Sequence, residues 1–346
     1  MRWGSEIRFL QFAGRRVAYA VTGDGPPLVA PAWWVSHLEF DWSDQAFREF
    51  WESVAESYSL VRYDRLGVGM SDRDVRDEDL TLDRDVALLR ALLDELSLPK
   101  VALVGGSSGG CAAIAFAARF PERVDRLLLY GAYADGSSIT SPGVRDAIVG
   151  TVRSHWGLGS RLLADIFVGG SEGAEQERLA RYQRSAASPE TAAALLELVY
   201  RNDVRSEVER VRAPTLVVHR RGDRAVPYQL GRELAARIPK ATLIPLEGSA
   251  HFPWAGDSYS VARALRSVLA PEPPARLAPD PAAGRLSARE REVLALIASG
   301  LSDREIAEQL VVSEHTVHRH VANVRRKLGR GTRTAAVAEA ARLGLL

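Results

Sequence analysis

The chain of 346 residues contains a single cysteine, Cys111, which excludes an internal disulfide and suits a reducing cytoplasm. Long apolar runs are missing too. None approaches the ~18 residues that cross a bilayer, so no membrane partner is expected. The opening MRWGSEIRFL lacks the basic-then-apolar layout of a signal peptide, and a cytoplasmic location is expected. Net charge is scarce as well, formally +1, and by itself argues neither for nor against nucleic acid. At 46% hydrophobic and 26% charged, the composition is that of globular protein, which excludes disordered and collagen-like classes. The length suits one large domain plus a small one.

The charge becomes informative once divided along the chain. Residues 286–346 hold ten Lys/Arg against seven Asp/Glu and three of the seven histidines, whereas residues 1–270 carry a slight acidic excess. Between them, residues 270–285 read APEPPARLAPDPAAGR, with five prolines and no apolar period, a composition that gives a semi-extended spacer. Three parts are therefore expected: a domain over 1–269, a linker over 270–285 and a second domain over 286–346.

Within the first part, short aliphatic runs such as VALVGG and PTLVVH alternate with helical periodicity, as in DVALLRALLDEL. That alternation predicts an α/β fold with a mostly parallel sheet. Residues 132–211 break the rhythm and read as consecutive helices, with SPETAAALLELVYRN the clearest, so an inserted helical lid is expected there.

VALVGGSSGGC holds G-x-S-x-G in two registers. A nucleophilic serine in such a sheet needs a sharp strand-to-helix turn flanked by small residues. With Ser107 as nucleophile the strand is Lys100–Val104 and CAAIAFAARF continues as the helix; with Ser108 the strand is prolonged into two glycines. Ser107 is the better choice, and the amide of Ser108 is then placed for an oxyanion hole. A serine needs a base, and the base an acid to hold it. Of His37, His155, His219 and His251, His251 in EGSAHFPW follows a strand and sits at the sheet's carboxyl edge, where open α/β folds place their sites. Asp223 in HRRGDRAVP follows the strand PTLVVH. The chain order Ser107, Asp223, His251 matches that of the strand–elbow hydrolases.

With this triad, RVAYAVTGDGPPLV and YDRLGVGMSD, residues 1–270 resemble the α/β-hydrolase fold family along nearly their whole length. The resemblance implies a serine hydrolase for an ester or lactone, with Asp64 and Arg65 structural. Where that family has His-Gly after its third strand, this chain has Pro31-Ala32-Trp33-Trp34, so by position Trp33 supplies the second oxyanion amide. Trp33, Trp34, Trp42 and Trp51 crowd together, as core and lid packing or as the wall of an aromatic pocket. Trp254, close to His251, points to a pocket for a small apolar ligand lined by Trp33, Trp34 and Trp254. Cys111 reads as a buried small residue.

From Leu286 the text becomes LSAREREVLALIASGLSDREIAEQLVVSEHTVHRHVANVRRKLG. Ser287 with Glu290 and Ser302 with Glu305 form capping boxes, and Gly300 and Gly329 sit at helix ends. Helices near 288–299, 303–310 and 314–328 follow, the last two joined by Val311-Val312-Ser313 in a helix-turn-helix layout. Val317, Val321, Val324 and Leu328 make the core stripe of the third helix. Its other side carries His315, His318, Arg319, Ala322 and Arg326, a face suited to the major groove of double-stranded DNA or to solvent. His318 and His320, two apart, point in different directions and do not make a metal pair.

This segment resembles the LuxR-type DNA-binding domain throughout, including a short fourth helix, TAAVAEAARL. The resemblance implies base-facing contacts at His318, Arg319 and Ala322, backbone contacts at Thr316 and Arg326, and a homodimer on DNA. That family places lysine where His318 stands. The joint expectation is a transcription regulator, nucleoid-associated when bound, that senses and hydrolyses a small ligand without cofactor or metal. A serine esterase first and foremost, or a catalytically idle sensor, are the alternatives.

Overall fold

The structure is a computed structural model that describes residues 6–168, 173–269, 286–328, 332–342 and 345. It divides into two compact units, Met1–Ala270 and Pro271–Leu346. The proline-rich 270–285 segment and Gly329 lie outside the described residues.

The first unit is built on eight strands: β1 (Ile7–Phe12), β2 (Arg15–Thr22), β3 (Pro27–Ala30), β4 (Ser59–Tyr63), β5 (Val101–Gly106), β6 (Val124–Tyr130), β7 (Thr215–Arg220) and β8 (Ala241–Leu246). They lie in the order β1-β2-β4-β3-β5-β6-β7-β8, and only β2 runs against its neighbours. This is the mostly parallel sheet that the alternating pattern predicts. Strand parity sorts the side chains between its two faces. Leu103, Leu127 and Val217 pack on one face, with α3 (Leu82–Glu95) and α4 (Ser107–Arg119). Ala102, Val104, Leu128 and Val218 pack on the other, against α2 (Gln45–Val54) and α10 (Ser258–Leu269). The short α1 (Leu38–Ser43) precedes α2, and α9 (Tyr228–Arg237) lies between β7 and β8.

Four helices fill the stretch expected to form the lid: α5 (Pro142–Ser154), α6 (Trp156–Val168), α7 (Gly173–Ala186) and α8 (Pro189–Arg201). Ser188 caps α8 by accepting from the Thr191 amide, and Pro189 sits at the first helical position, where a missing N–H costs nothing.

The second unit holds α11 (Ala288–Ala298), α12 (Asp303–Leu310), α13 (Glu314–Lys327) and α14 (Arg333–Arg342). Both capping boxes form, at Ser287 with Glu290 and at Ser302 with Glu305. Val317, Val321 and Val324 are buried, with Ile306, Val293 and Leu294 among their partners. One turn residue departs from sequence preference: Val311 ends α12 in the left-handed region, φ 53°, with its side chain in solvent. A β-branched residue pays strain there.

Candidate active site

β5 does not stop at Val104. It continues through Gly105 and Gly106, and the chain reverses at Ser107, which opens α4 with φ 50°. The strand therefore ends two residues later than the expected Lys100–Val104, and the backbone still singles out Ser107 as the residue at the bend. A positive φ on a non-glycine residue is a strained conformation, the kind that persists where surrounding structure holds it.

The flanking glycines answer to the Pro31–Trp33 segment. A methyl group on Gly106 would fall 1.8 Å from Cζ2 of Trp33, and one on Gly109 would fall 2.9 Å from the Pro31 carbonyl oxygen and 2.8 Å from that of Ala32. The segment that replaces the His-Gly pattern thus lies directly against the elbow. Ser108 is the second residue of α4, so its amide has no intrahelical acceptor. The Trp33 amide likewise makes no hydrogen bond among the described residues.

Asp223 and His251 stand on two loops beyond β7 and β8. Asp223 Oδ1 accepts the amides of Ala225 at 2.9 Å and Val226 at 3.1 Å, while Oδ2 lies 2.8 Å from His251 Nδ1. Burial opposes ionisation of Asp223, but His251, His219 and the Val226 amide together hold its pKa below the usual carboxylate range. An ionised Asp223 accepts a hydrogen bond from Nδ1–H, which leaves the basic lone pair on Nε2. Nε2 is buried and has no hydrogen-bond partner among the described residues. Ser107 and His251 line one cavity of about 640 Å³, but the hydroxyl–imidazole hydrogen bond between them is not formed in this state. Such links are commonly long in unliganded sites and tighten with substrate.

The other histidines are placed elsewhere. His37 caps α1, His155 follows α5, and His219 lies wholly buried with Nε2 2.9 Å from the Val226 carbonyl. Burial pushes the His219 pKa down against the pull of Asp223, whose Oδ2 lies 3.6 Å from its Nε2. Asp64 and Arg65 are structural: Asp64 accepts from Ser36 Oγ and from the amides of Leu38 and Met70, and Arg65 pairs with Asp85. Cys111 is fully buried and its thiol is pushed up to about 12, which leaves it inert as a nucleophile.

Trp33, Trp34 and Trp254 line the cavity, as does Trp51; Trp42 packs behind it in the core. Phe167 of α6 and Tyr182 of α7 also line the cavity, and the Phe167 carbonyl accepts the His251 amide at 2.7 Å. The end of α6 and the loop that carries His251 are thereby joined through the backbone.

Arg220 is a residue that motif reading missed. Fully buried at the end of β7, it donates to the carbonyls of Ala250 at 2.8 Å, Phe252 at 3.1 Å, Ala255 at 2.7 Å and Asp257 at 3.1 Å. One guanidinium thus ties down the loop that carries His251. Its five-donor fork is suited to such a cluster of acceptors.

In the second unit, Thr316 and Ala322 lie on the outward side of α13, partly and fully exposed respectively. His318 is 60% exposed but not idle: Nε2 lies 3.0 Å from Asp303 Oδ2. Asp303 also pairs with Arg333, so it joins α12 to both α13 and α14. A base contact by His318 has to displace this acid. The side chains of Arg319 and Arg326 lie outside those described.

A serine in strained backbone at a strand–helix bend, with an Asp–His pair on loops after later strands of a mostly parallel sheet, is the layout of the α/β-hydrolase class. Residues 39–254 match the family model described as "alpha/beta hydrolase fold", and residues 284–340 match "Bacterial regulatory proteins, luxR family". The chain belongs to the alpha/beta hydrolase fold family and carries a luxR-family module at its C-terminal side. A pimeloyl-[acyl-carrier protein] methyl ester esterase of Xanthomonas campestris pv. campestris is 30% identical over 263 residues, 73% of this chain and 98% of that protein. A 2-hydroxymuconate semialdehyde hydrolase of Pseudomonas putida is 31% identical over 230 residues, 62% of this chain and 78% of that protein. The crystal structure of the enol-lactonase from Burkholderia xenovorans LB400 superposes with a TM-score of 0.65 at 21% identity, covering 76% of this chain and 99% of that one. No helix among the described residues is long and apolar enough to cross a membrane.

Proposed function

We propose that the chain is a DNA-binding transcription regulator whose hydrolase domain binds and hydrolyses a small, largely apolar ester or lactone. Ser107 is the nucleophile, His251 the general base and Asp223 the acid that orients it. The amides of Ser108 and Trp33 serve the oxyanion. The observation that carries this reading is the Asp223–His251 pair with Nε2 unengaged in the cavity that Ser107 enters. Attack by the Ser107 hydroxyl on the acyl carbon transfers its proton to Nε2. The same imidazolium then returns that proton to the departing alkoxide, leaving an acyl-serine for water to cleave. The relatives named above include an ester hydrolase, which accords with this chemistry.

The missing Ser107–His251 hydrogen bond favours a second reading, a sensor that binds ligand and does not turn it over. Turnover of p-nitrophenyl butyrate by the intact protein, with Ser107→Ala as control, separates the two.

On the DNA side, α13 reads the major groove through His318, Arg319 and Ala322, with Thr316 and Arg326 on the backbone and a dimer spanning two half-sites. Arg326→Ala should weaken binding about equally on all sequences and lower the slope of log K against log salt by about 0.9, one phosphate contact's worth. Titrations of the full chain on promoter fragments at several salt concentrations measure this. An unchanged slope removes Arg326 from the interface.

A further inference from the structure

The cavity has a second polar feature, away from the elbow. Arg62 lies on β4 and lines the cavity with its side chain almost wholly buried. None of its Nε, Nη1 or Nη2 atoms has a hydrogen-bond partner among the described residues. Asp41 and Asp64 are the acids in electrostatic reach, yet both are engaged elsewhere. Asp64 is taken up by Ser36, Leu38 and Met70, and Asp41 accepts from the Tyr182 hydroxyl at 2.6 Å and the His37 amide at 3.4 Å. What Arg62 does touch is aromatic: its Cζ stands 4.3 Å from the Trp42 ring centroid and 5.4 Å from that of Phe47.

The rings attract the cation but offer its N–H donors no hydrogen-bond acceptor, and those donors are the groups that grip a carboxylate as a fork. Burying a charge with its donors unpaired is costly, and proteins retain such a group where something supplies the acceptor. A line of rings connects this end to the elbow. Phe47 lies 4.7 Å from Trp254, Trp254 lies 5.4 Å from Trp33, and Trp33 lies 6.1 Å from His251.

We propose that the ligand of this cavity is a half-ester of a dicarboxylic acid, its carboxylate held by Arg62, its apolar body along Phe47, Trp254 and Trp33, and its ester at Ser107. This deepens the proposed function and rests on the cavity being that protein's ligand site, but not on turnover. The anion at one end and the uncharged ester at the other fix the direction in which the ligand lies. Arg62 is accordingly a specificity residue and takes no part in bond breaking.

The test uses binding, so that it survives if catalysis does not. In the full-length Ser107→Ala protein, quenching of tryptophan fluorescence is titrated with monomethyl esters of linear dicarboxylic acids of four to eight carbons and with the matching dimethyl esters. At one or more lengths the monoester should bind at least about tenfold more tightly, the worth of one charge-assisted contact. Arg62→Met in that background should bring the ratio to about one, and Arg62→Lys should keep part of it. Equal or tighter binding of the diester at every length overturns the proposal, as does a preference that survives Arg62→Met or no saturable binding of any monoester. If Arg62→Met does not fold, the monoester–diester comparison and Arg62→Lys still decide. Turnover of p-nitrophenyl butyrate by the parent chain reports on the catalytic reading separately.

Discussion

Ser107→Ala should lower turnover of p-nitrophenyl butyrate by about 10⁴–10⁶-fold, the scale on which a triad nucleophile's loss is felt. Ser108→Ala should cost less than about tenfold, because the alanine keeps the amide that Ser108 contributes to the oxyanion. The asymmetry follows from the backbone. Ser107 occupies the bend with its φ at 50°, whereas Ser108 lies one step inside α4 with its hydroxyl buried and unpartnered among the described residues. Steady-state kinetics on the two variants, with circular dichroism to show that both fold, measures this. Comparable losses would mean that the elbow has been assigned to the wrong serine or that neither acts.

Arg220→Met should be the most damaging change made without touching a triad residue. The substitution keeps an apolar stem of similar length but removes the guanidinium donors from four carbonyls, of which that of Phe252 retains the Ala255 amide at 3.1 Å. A buried acceptor left unsatisfied costs about 1–3 kcal/mol, so the loss of several together is expected to cost about 3–5 kcal/mol. A drop in the thermal midpoint of the hydrolase unit of roughly 10 °C follows from that figure. The consequence for catalysis is separable. The four carbonyls belong to Ala250, Phe252, Ala255 and Asp257, which bracket His251, so the imidazole should lose its position even where the domain remains folded. A displacement of about 1 Å costs about 10²-fold. Measured well below the midpoint, kcat should fall by that amount with little change in KM, and Arg220→Lys should recover only part of it. Full kcat in a destabilised Arg220→Met protein would reduce Arg220 to a structural brace.

The two arginines also mark where motif reading stopped. Ser107, Asp223 and His251 stand out as candidates in the sequence because each sits in a short turn-rich segment after an aliphatic run, where this topology gathers its chemistry. Arg220 stands in HRRGDR and Arg62 in VRYDR, where clustered charges look like solvated loop. Strand parity carries the missing information. Leu60 and Arg62 fall on one face of β4, as Leu216, Val218 and Arg220 do on β7, and the leucines and valines show that face to be interior.

The fold was legible for a similar reason. Alternating strand and helix periods specify a parallel sheet, and the capping boxes mark the starts of α11 and α12 at the residues observed. The strand end at Gly106 was not legible, since glycine's weak strand preference suggested an earlier stop. Packing of Trp33 over Gly106 overrides that preference. The His318–Asp303 pair was likewise out of reach, because it depends on how α12 and α13 cross rather than on spacing within either.

The hydrolytic reading comes down to whether the hydroxyl of Ser107 is activated, given that Nε2 of His251 has no hydrogen-bond partner among the described residues. Treatment of the intact protein with a fluorophosphonate, followed by peptide mass spectrometry, tests this directly. The account predicts a single phosphonylated site at Ser107, with labelling slowed by orders of magnitude in His251→Ala. An unmodified Ser107 in folded protein, or an adduct on Ser108 instead, would contradict it.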